Sequence, residues 1–407
     1  MSLIDDLIAE HCPDGIEFVR LEALVSRPAT IRWSDHPSDE TFEYIDLGSV
    51  DRTTYAIAEA ATITSANAPS RAQQIVKARD LIFGTTRPML KRYALVPKTY
   101  ANQICSTGFC VLRPNSQRVS PNYVFHVLGT ADFYDYVEAN QRGASYPAIP
   151  DQVVKRFRLP LPPIHVQRAI ADVLDRFTEL EAELEAELEA RRRQYEHYRD
   201  ALLSFPEQDG VQWSTLGAIS KRVSSGATPL AGRPEYYLDG AVPWLRTQEV
   251  RFVDIHDTNV KITENAASET AAKWIPANCV IVAISGATAA RSAVNKIPLT
   301  TNQHCCNLEI DPEQAQYRFV FHWVSSRYEQ LKAYGQGARA DLNSGLIKRF
   351  PIPVPPLDEQ ERIVKVLDSF DALVNDLSVG LPAELKGRRQ QYEYYRDKLL
   401  TFNEAPA

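Results

Sequence analysis

The chain has 407 residues, which is enough for two or three domains with sizeable cores. Its 44% hydrophobic and 24% charged residues are typical of a globular protein, and no apolar run approaches the roughly 18 residues of a membrane span. The six cysteines have no CxxC spacing, and residues 1–6 lack the basic start of a signal sequence. These features argue against a membrane protein and a disulfide scaffold, and they predict a cytoplasmic protein with no membrane contact.

The net charge of −7 is unevenly distributed along the chain. Residues 158–207 hold 7 basic and 11 acidic residues, and residues 351–407 hold 7 and 10. Residues 13–157, with 16 against 15, and residues 208–350, with 15 against 13, are neutral to slightly basic. Whole-chain charge is therefore a poor guide to partners, because one region can face DNA and another a protein.

In chain order, the first predicted element is a short helix over residues 1–12, which carries four apolar residues between Leu3 and Ile8. These apolar residues come just before the first large region, in the same way that Leu202 and Leu203 come just before the second large region. We therefore expect this helix to stand in for the end of a C-terminal helix, so that the two chain ends lie near each other.

Two large regions, residues 13–155 and 208–349, resemble each other in outline. Asp-Gly-Ile-Glu-Phe at residues 14–18 matches Asp-Gly-Val-Gln-Trp at 209–213, and the Val-Phe-His ending at His126 matches the one ending at His322. Both regions mix short β-rich runs with amphipathic helical stretches, which predicts two similar α/β domains and an α+β fold class for the chain.

Two further segments, residues 156–207 and 350–407, repeat much more closely. Leu-Pro-Leu-Pro-Pro at 159–163 matches Ile-Pro-Val-Pro-Pro at 352–356, and both runs lead toward a Val-Leu-Asp tripeptide. Gln-Tyr-Glu-His-Tyr-Arg-Asp at 194–200 returns as Gln-Tyr-Glu-Tyr-Tyr-Arg-Asp at 391–397. A duplication of such long period predicts two similar structural units with a pseudo-two-fold, circular organisation.

Apolar residues in these segments recur at alternating spacings of four and three, which is typical of a coiled-coil seam. The first helix, from about Gln167 to Phe205, would be on the order of 57 Å long. Neither helix can bury its stripe alone, so we expect the two to pack antiparallel as helical spacers, with a break in the second around Gly380 and Pro382. The predicted seam residues are Leu174, Phe177, Leu184, Leu188, Tyr195, Tyr198, Leu202, Leu367, Phe370, Leu377, Leu385, Tyr392, Tyr395 and Leu399.

Motifs for catalysis are absent from the sequence. There is no phosphate loop, dinucleotide fingerprint, GxSxG elbow, HExxH or zinc-ribbon spacing, and no Asn-Pro-Pro-aromatic or Asp-Pro-Pro-aromatic tetrapeptide of an amino-methyltransferase. Because the motifs of several enzyme classes are all absent, we predict a non-catalytic recognition protein with no catalytic residue, metal ligand or cofactor of its own. An enzyme that uses His126 and His322 or the cysteines remains an alternative.

Loops that combine small residues with Arg, Lys, Gln or Asn are the candidates for reading DNA, since bases are read by polar side chains and phosphates by cations. Residues 84–92 and 141–146 form two such loops, and residues 285–291 and 336–343 are their counterparts. The predicted DNA contacts are Thr86, Arg87, Lys91, Arg92, Arg142, Ser145, Tyr146, Arg246, Gln248, Thr288, Arg291, Asn302, Gln303, Arg339 and Asn343.

The tandem Leu-Pro-Leu-Pro-Pro and Gln-Tyr-Glu motifs resemble the specificity subunit of type I restriction–modification systems, over essentially the whole chain. The resemblance implies a subunit without catalysis that reads a bipartite double-stranded DNA target, with one half-site for each recognition domain. It also implies two methyltransferase subunits that bring S-adenosylmethionine, and restriction subunits that bring ATP and magnesium. The alternative is a coiled-coil scaffold that does not read DNA, which the net negative charge favours.

Overall fold

The computed structural model describes residues 2–206, 210–335, 341–375 and 380–406, with side chains from residue 6 onward. Contacts divide the chain into two compact units. Unit 1 consists of residues 1–187 and 383–407, and unit 2 consists of residues 188–382. Each unit therefore combines one large region with parts of both repeated segments. The division into segments 1–12, 13–155, 156–207, 208–349 and 350–407 stays a prediction.

The elements of unit 1 begin with a short helix, as its N-terminal apolar residues predict. They are α1 (Ser2–His11), β1 (Phe18–Arg20), β2 (Val25–Ser26), β3 (Ala29–Thr30), β4 (Phe42–Ile45), β5 (Ala61–Ile63), β6 (Ala72–Ile75), β7 (Leu81–Gly84), β8 (Tyr93–Leu95), β9 (Ile104–Ser106), β10 (Phe109–Pro114), α2 (Pro121–Val127), α3 (Ala131–Asn140), α4 (Asp151–Lys155), β11 (Arg158–Pro160) and α5 (Ile164–Leu202).

The elements of unit 2 follow from the last part of α5. They are β12 (Gln212–Thr215), β13 (Ser220–Ser225), β14 (Val242–Leu245), β15 (Val253–Ile255), β16 (Lys261–Ile262), α6 (Glu264–Glu269), β17 (Trp274–Ile275), β18 (Val280–Ala283), β19 (Ser292–Asn295), β20 (Leu299–Thr301), β21 (Cys305–Ile310), α7 (Tyr317–Ser326), α8 (Tyr328–Ala333), α9 (Ser344–Arg349), β22 (Pro351–Val354) and α10 (Leu357–Asn375). Helix α11 (Leu381–Leu400) belongs to unit 1 from residue 383.

The described strands share a common order in both units, with β3 added to a sheet of unit 1 and β15 added to a sheet of unit 2. Unit 1 has sheets in the order β2-β10-β7-β8 and β3-β6-β9-β4-β5, and unit 2 has β13-β21-β18-β19-β15 and β16-β14-β20-β17. The parallel pair β4–β9 corresponds to β14–β20, and the antiparallel pair β1–β11 corresponds to β12–β22. The faint sequence similarity of the two large regions thus reflects one shared α/β fold.

The central strand of each unit is buried on both faces. In β7, Leu81 and Phe83 face the cluster that includes the helices, while Ile82 faces a second cluster between the sheets. In β18, Val280 and Val282 face one cluster and Ile281 faces the other. Neighbouring side chains of a strand point to opposite faces, so a continuous apolar run is what a strand between two cores requires.

The repeated helices pack antiparallel within each unit. In unit 1, the Phe177 ring of α5 lies 5.6 Å from the Tyr395 ring of α11, and the Arg389 Nε donates to the Glu181 carboxylate at 2.6 Å. The residue numbers therefore increase along α5 while those of their partners decrease along α11. In unit 2, Tyr198 of α5 stacks on Phe370 of α10. This confirms the expected antiparallel pairing.

Burial at the predicted seam varies. Leu174, Leu188, Leu367, Leu385, Tyr392 and Leu399 are buried, and Phe177, Leu184, Tyr195, Leu202, Phe370 and Tyr395 are half-buried. Tyr198 is 41% exposed despite its stack on Phe370, and Leu377 lies outside the described residues. The assignment of all these residues to one seam stays a prediction.

The second repeated segment contains two helices, α10 and α11, where the first contains α5 alone. Pro382 is the second residue of α11, and a proline is tolerated in a first turn because that turn needs no donor from it. A Cβ on Gly380 would lie 2.4 Å from the Ala372 carbonyl oxygen, so only glycine fits against the end of α10. Residues 376–379, next to the predicted break, are outside the described residues.

The two chain ends meet in unit 1. The Ile16 N–H donates to the Asn403 carbonyl at 2.9 Å, and the Ala405 N–H donates to the Ile16 carbonyl at 3.0 Å. Arg158 also forms an ion pair with Glu404. The expected circular arrangement is therefore confirmed, and it is held by backbone hydrogen bonds.

Candidate nucleic-acid interface

A junction of three chain segments forms at the end of β7 in unit 1. The Thr85 N–H donates to the Gly108 carbonyl at 2.9 Å, and the Ile149 N–H donates to the Thr85 carbonyl at 2.9 Å. The Arg142 N–H and the Ala148 carbonyl are also hydrogen bonded, at 2.8 Å. These bonds bring together the predicted DNA-reading loops at 84–92 and 141–146, which are far apart in sequence.

The same junction forms at the end of β18 in unit 2. The Ile284 N–H donates to the His304 carbonyl at 2.9 Å, and the Leu342 N–H donates to the Ile284 carbonyl at 2.8 Å. The loop at 285–291 therefore lies beside residues 302–304 and 341–343. Each unit thus gathers its candidate loops in the same way.

The loop after β7 holds two cations in a strained turn. Arg87 (φ 48°) and Lys91 (φ 54°) flank the short turn Pro88–Leu90, and both have left-handed backbone conformations. A residue other than glycine pays about 1–2 kcal/mol for such a conformation. Strain of this kind concentrates at functional sites, because the surrounding structure must hold it in place.

Aromatic rings lie under both cations. The Arg87 guanidinium carbon is 4.5 Å from the centroid of the Tyr146 ring, and the Lys91 Nζ is 4.8 Å from that of Tyr134. The Arg87 N–H also donates to the Pro147 carbonyl at 2.7 Å, which joins the two loops beside the ring. The Tyr146 side chain is itself 71% exposed, so the stacked pair faces solvent.

The other predicted contacts of unit 1 surround this stacked pair. Arg142 and Ser145 are exposed, while Thr86 and Arg92 are half-buried. Within the described part of the chain, Arg87, Lys91, Arg92 and Arg142 have no carboxylate within ion-pair distance. Unpaired cations beside exposed polar groups are suited to phosphate and base edges.

The candidate surface of unit 2 is less basic. Arg246 is half-buried with its Nε 3.9 Å from a Glu249 carboxylate oxygen, and Arg291 is half-buried after the β18 loop. Gln248 is exposed, Thr288 is half-buried, and the exposed Gln303 accepts a hydrogen bond from Thr228. Arg339 lies outside the described residues.

The two predicted asparagine contacts of unit 2 have structural partners. Asn302 is only 8% exposed, and its Oδ1 accepts the His304 N–H at 3.1 Å, so its carboxamide holds a turn below the surface. The Asn343 Oδ1 accepts the Leu346 N–H at 3.0 Å and caps α9, although this residue is exposed. Asparagine side chains commonly hold turns, cap helices and contact bases. The sequence alone therefore does not distinguish these structural roles from DNA contact.

Residues that the sequence analysis gave no role fasten each recognition region to its helix. The Gln167 Oε1 of α5 accepts the Ser120 N–H at 2.9 Å, and its Nε2 donates to the Pro162 carbonyl at 2.8 Å. Gln360 of α10 makes the same two bonds, to the Gln316 N–H and the Pro355 carbonyl. Both glutamines are fully buried, and we call these contacts and the neighbouring His–Asp pairs the joints.

The joint of unit 1 contains a histidine between two partners. The His126 Nε2 lies 2.8 Å from Asp175 Oδ1, and its Nδ1 lies 2.9 Å from the Tyr392 hydroxyl. Burial lowers the pKa of His126, with partial opposition from Asp175. Burial alone would raise the pKa of Asp175, but hydrogen bonds from His126 and Asn122 outweigh it and lower that pKa. A neutral imidazole that donates to the carboxylate and accepts from the tyrosine fits all these contacts.

The joint of unit 2 keeps the histidine and the acid but changes their surroundings. The His322 Nε2 lies 2.6 Å from Asp368 Oδ1, and Arg318 donates to the same oxygen. Arg318 also donates to Asp254 at 2.8 Å. The His322 Nδ1 is buried without a hydrogen-bond partner in the described residues. The repeated Gln and Asp, together with the histidine of the repeated Val-Phe-His, are the sequence signal for these joints.

The described residues offer little other chemistry. They contain no group of three His, Cys, Asp or Glu side chains that could hold a metal ion. Burial raises the pKa of the Cys306 thiol to about 11, so this cysteine is a poor nucleophile. Within the same residues, no helix is both long and apolar enough to cross a membrane.

Comparison with protein families gives a match over most of the chain. Residues 17–190 and 208–387 each match the family described as "Type I restriction modification DNA specificity domain". The two matches begin close to the starts of the two large regions and include most of both repeated helical segments.

Individual relatives and solved structures agree with this match. A type I restriction enzyme specificity subunit of Escherichia coli is 37% identical over 243 residues, 58% of this chain and 59% of that subunit. A second E. coli specificity subunit is 30% identical over 223 residues, 50% of this chain and 54% of that subunit. The aligned part thus spans less than two thirds of these curated relatives. The S subunit of a type I restriction–modification system from M. genitalium shares the fold, with a TM-score of 0.60 and 15% identity over 95% of this chain and 96% of that one.

Proposed function

Because the chain belongs to the type I restriction modification DNA specificity domain family, we propose that it reads a bipartite double-stranded DNA target for a restriction–modification complex. Unit 1 would read one half-site and unit 2 the other. The chain itself would carry no catalysis. The observation that carries this proposal is the repeated junction, which gathers polar loops at the end of β7 and again at the end of β18.

The difference between the two candidate surfaces supports two different half-sites. One scaffold holds the stacked Arg87 and Tyr146 in unit 1, and it holds Thr288 and Arg291 at the corresponding place in unit 2. Base edges are distinguished by the donors and acceptors that side chains present to them. Two surfaces with different side chains on one backbone are therefore suited to different sequences.

The repeated helices would bind the partner subunits. Their segments are the acidic part of the chain, which suits a protein surface better than a phosphate backbone. Two methyltransferase subunits would bring S-adenosylmethionine, and restriction subunits would bring ATP and magnesium. The 39 residues of α5 belong to both units and correspond to about 58 Å of helix, which would set the gap between half-sites.

The test of this proposal is the dependence of binding on the gap. The chain, purified with its methyltransferase subunits, should select one split sequence from a randomised duplex library and lose it when one base pair is added between the halves. Selection of no split sequence would favour the scaffold alternative, whereas selection that tolerates any gap would contradict the role of α5.

Exchange of residues 13–155 for the corresponding region of another family member tests the modular part of the proposal. The selected sequence should change in one half only, because each unit has its own cores and its own junction. A change in both halves would show that the units do not read separately.

A further inference from the structure

We infer that Arg87, held by Tyr146, reads a guanine in the half-site of unit 1. This inference rests on the proposed function and makes it specific for one side chain and one base. Neither the family match nor the relatives assign a base to any residue of this chain.

The Arg87 side chain has the chemistry to read a guanine. Its guanidinium is planar and presents several N–H donors, and a bidentate contact from arginine to O6 and N7 of guanine is the commonest specific contact in the major groove. In the described part of the chain, no carboxylate forms an ion pair with Arg87. Its donors are therefore available to an external acceptor.

The Arg87 side chain is preorganised for such a contact. The Tyr146 ring lies 4.5 Å from the guanidinium carbon and restricts the orientation of the planar guanidinium. The hydrogen bond from the Arg87 N–H to the Pro147 carbonyl fixes the two loops beside each other. A side chain that is already oriented loses less conformational freedom when it binds.

The backbone at Arg87 is strained. Its φ of 48° favours glycine, yet the chain has an arginine there. In unit 2, the corresponding loop has Gly286 at a φ of 75°, in the conformation that glycine adopts without strain. The strained arginine of unit 1 is thus retained in a turn where the other unit uses a glycine, which points to a role for its side chain.

Selection from a randomised duplex library by the complete methyltransferase assembly tests this inference. With Arg87→Gly, one guanine of one half-site should lose about 5- to 150-fold of its preference over other bases, while the other half-site stays unchanged. This variant removes the side chain and relieves the backbone, so misfolding of the loop is not expected to cause the loss.

Three further variants separate base reading from charge. Arg87→Lys should weaken the guanine preference and keep non-specific affinity, because a lysine ammonium can still donate to O6 or N7 but lacks the planar guanidinium. Tyr146→Ala should weaken the preference at the same base, whereas Tyr146→Phe should retain it. Arg142→Ala is the matched control, and it should lower affinity for all sequences evenly.

A modified base gives an independent readout. Replacing the guanine with 7-deazaguanine removes the N7 acceptor, so the wild-type assembly should lose affinity and the Arg87→Gly assembly should not. An even loss of affinity across all sequences in Arg87→Gly, or a guanine preference that survives in Arg87→Gly, would overturn the inference. A wild-type assembly that selects no split sequence would instead contradict the proposed function itself.

Discussion

The joints of the two units use the same core residues in different electrostatic surroundings. Gln167 and Gln360 make the same pair of bonds, and His126 and His322 both contact the aspartate of the repeated Val-Leu-Asp. Around them, the aspartate of unit 1 is bonded by the neutral Asn122, with Arg79 bonded to the far side of that amide and Arg396 over the Tyr392 ring. In unit 2, Arg318 donates directly to the aspartate and lies beside further carboxylates. The position of the joint is thus repeated, while its charge is free to differ.

The repeated joints explain why the sequences of the helices repeat more closely than those of the large regions. The glutamine and aspartate must lie at fixed positions on α5 and α10 to meet backbone and histidine groups of the recognition regions. In the described residues, the side chains of loop residues such as Arg87 and Thr288 make no hydrogen bond to α5 or α10. Sequence divergence is therefore concentrated where the proposed ligand differs.

The largest expected effect tests whether the two joints lie in independent cores. Leu174→Ala and Leu367→Ala truncate equivalent, fully buried residues and should each cost about 2–5 kcal/mol. Hydrogen exchange should show the loss in α2 for the first variant and in α7 for the second. Equal losses in both helices for either variant would break the comparison, because the units would then unfold as one.

The next effect concerns the charged surroundings of unit 2. Arg318→Ala removes the cation that Asp254, Asp368 and Asp371 share, and it should cost about 2–4 kcal/mol because Arg318 is mostly buried. The matched variant Asn122→Ala in unit 1 removes one hydrogen bond to Asp175 and should cost about 1–2 kcal/mol. Denaturant unfolding with hydrogen exchange in each unit measures both values. A larger loss in Asn122→Ala would reverse the comparison.

Truncation of the two joint glutamines should lower the stability of the two units by similar amounts. Gln167→Ala leaves the buried Ser120 N–H without its acceptor, and Gln360→Ala does the same to the half-buried Gln316 N–H, so each should cost about 1–3 kcal/mol. Gln390→Ala, on an exposed position of α11, is the control and should change stability by less than about 0.5 kcal/mol. Clearly unequal losses at the two joint glutamines would contradict their equivalence.

The smallest effect is a pH dependence of unit 1. The pKa of His126 is lowered in the folded state, so unfolded chains take up its proton first and unit 1 loses stability as the pH falls below about 6.5. Asp175, whose pKa is also lowered, contributes only below its ordinary value of 3.8. Between pH 5 and 7, the loss should be at most about 1.4 kcal/mol per pH unit, and His126→Gln should abolish it in thermal or denaturant unfolding. A loss that persists in His126→Gln would assign it to another group.

The sequence by itself determined the duplication, the long first helix, the two α/β regions and the loops that carry cations. These features depend on local patterns, such as apolar spacing and strand-like runs, which neighbouring residues largely decide. The sequence also predicted that the chain ends meet, because the N-terminal apolar residues have the same place before a large region as the end of a repeated helix.

Only the tertiary structure decided which loops meet and which residues hold them. The bonds from Thr85 to Gly108 and Ile149 join segments far apart in the sequence, and no local pattern encodes such a pairing. The same holds for His126 between Asp175 and Tyr392, and for the left-handed turn that places Arg87 on Tyr146. Buried polar groups find partners through the fold, so their roles become readable only when the distant segments are placed together.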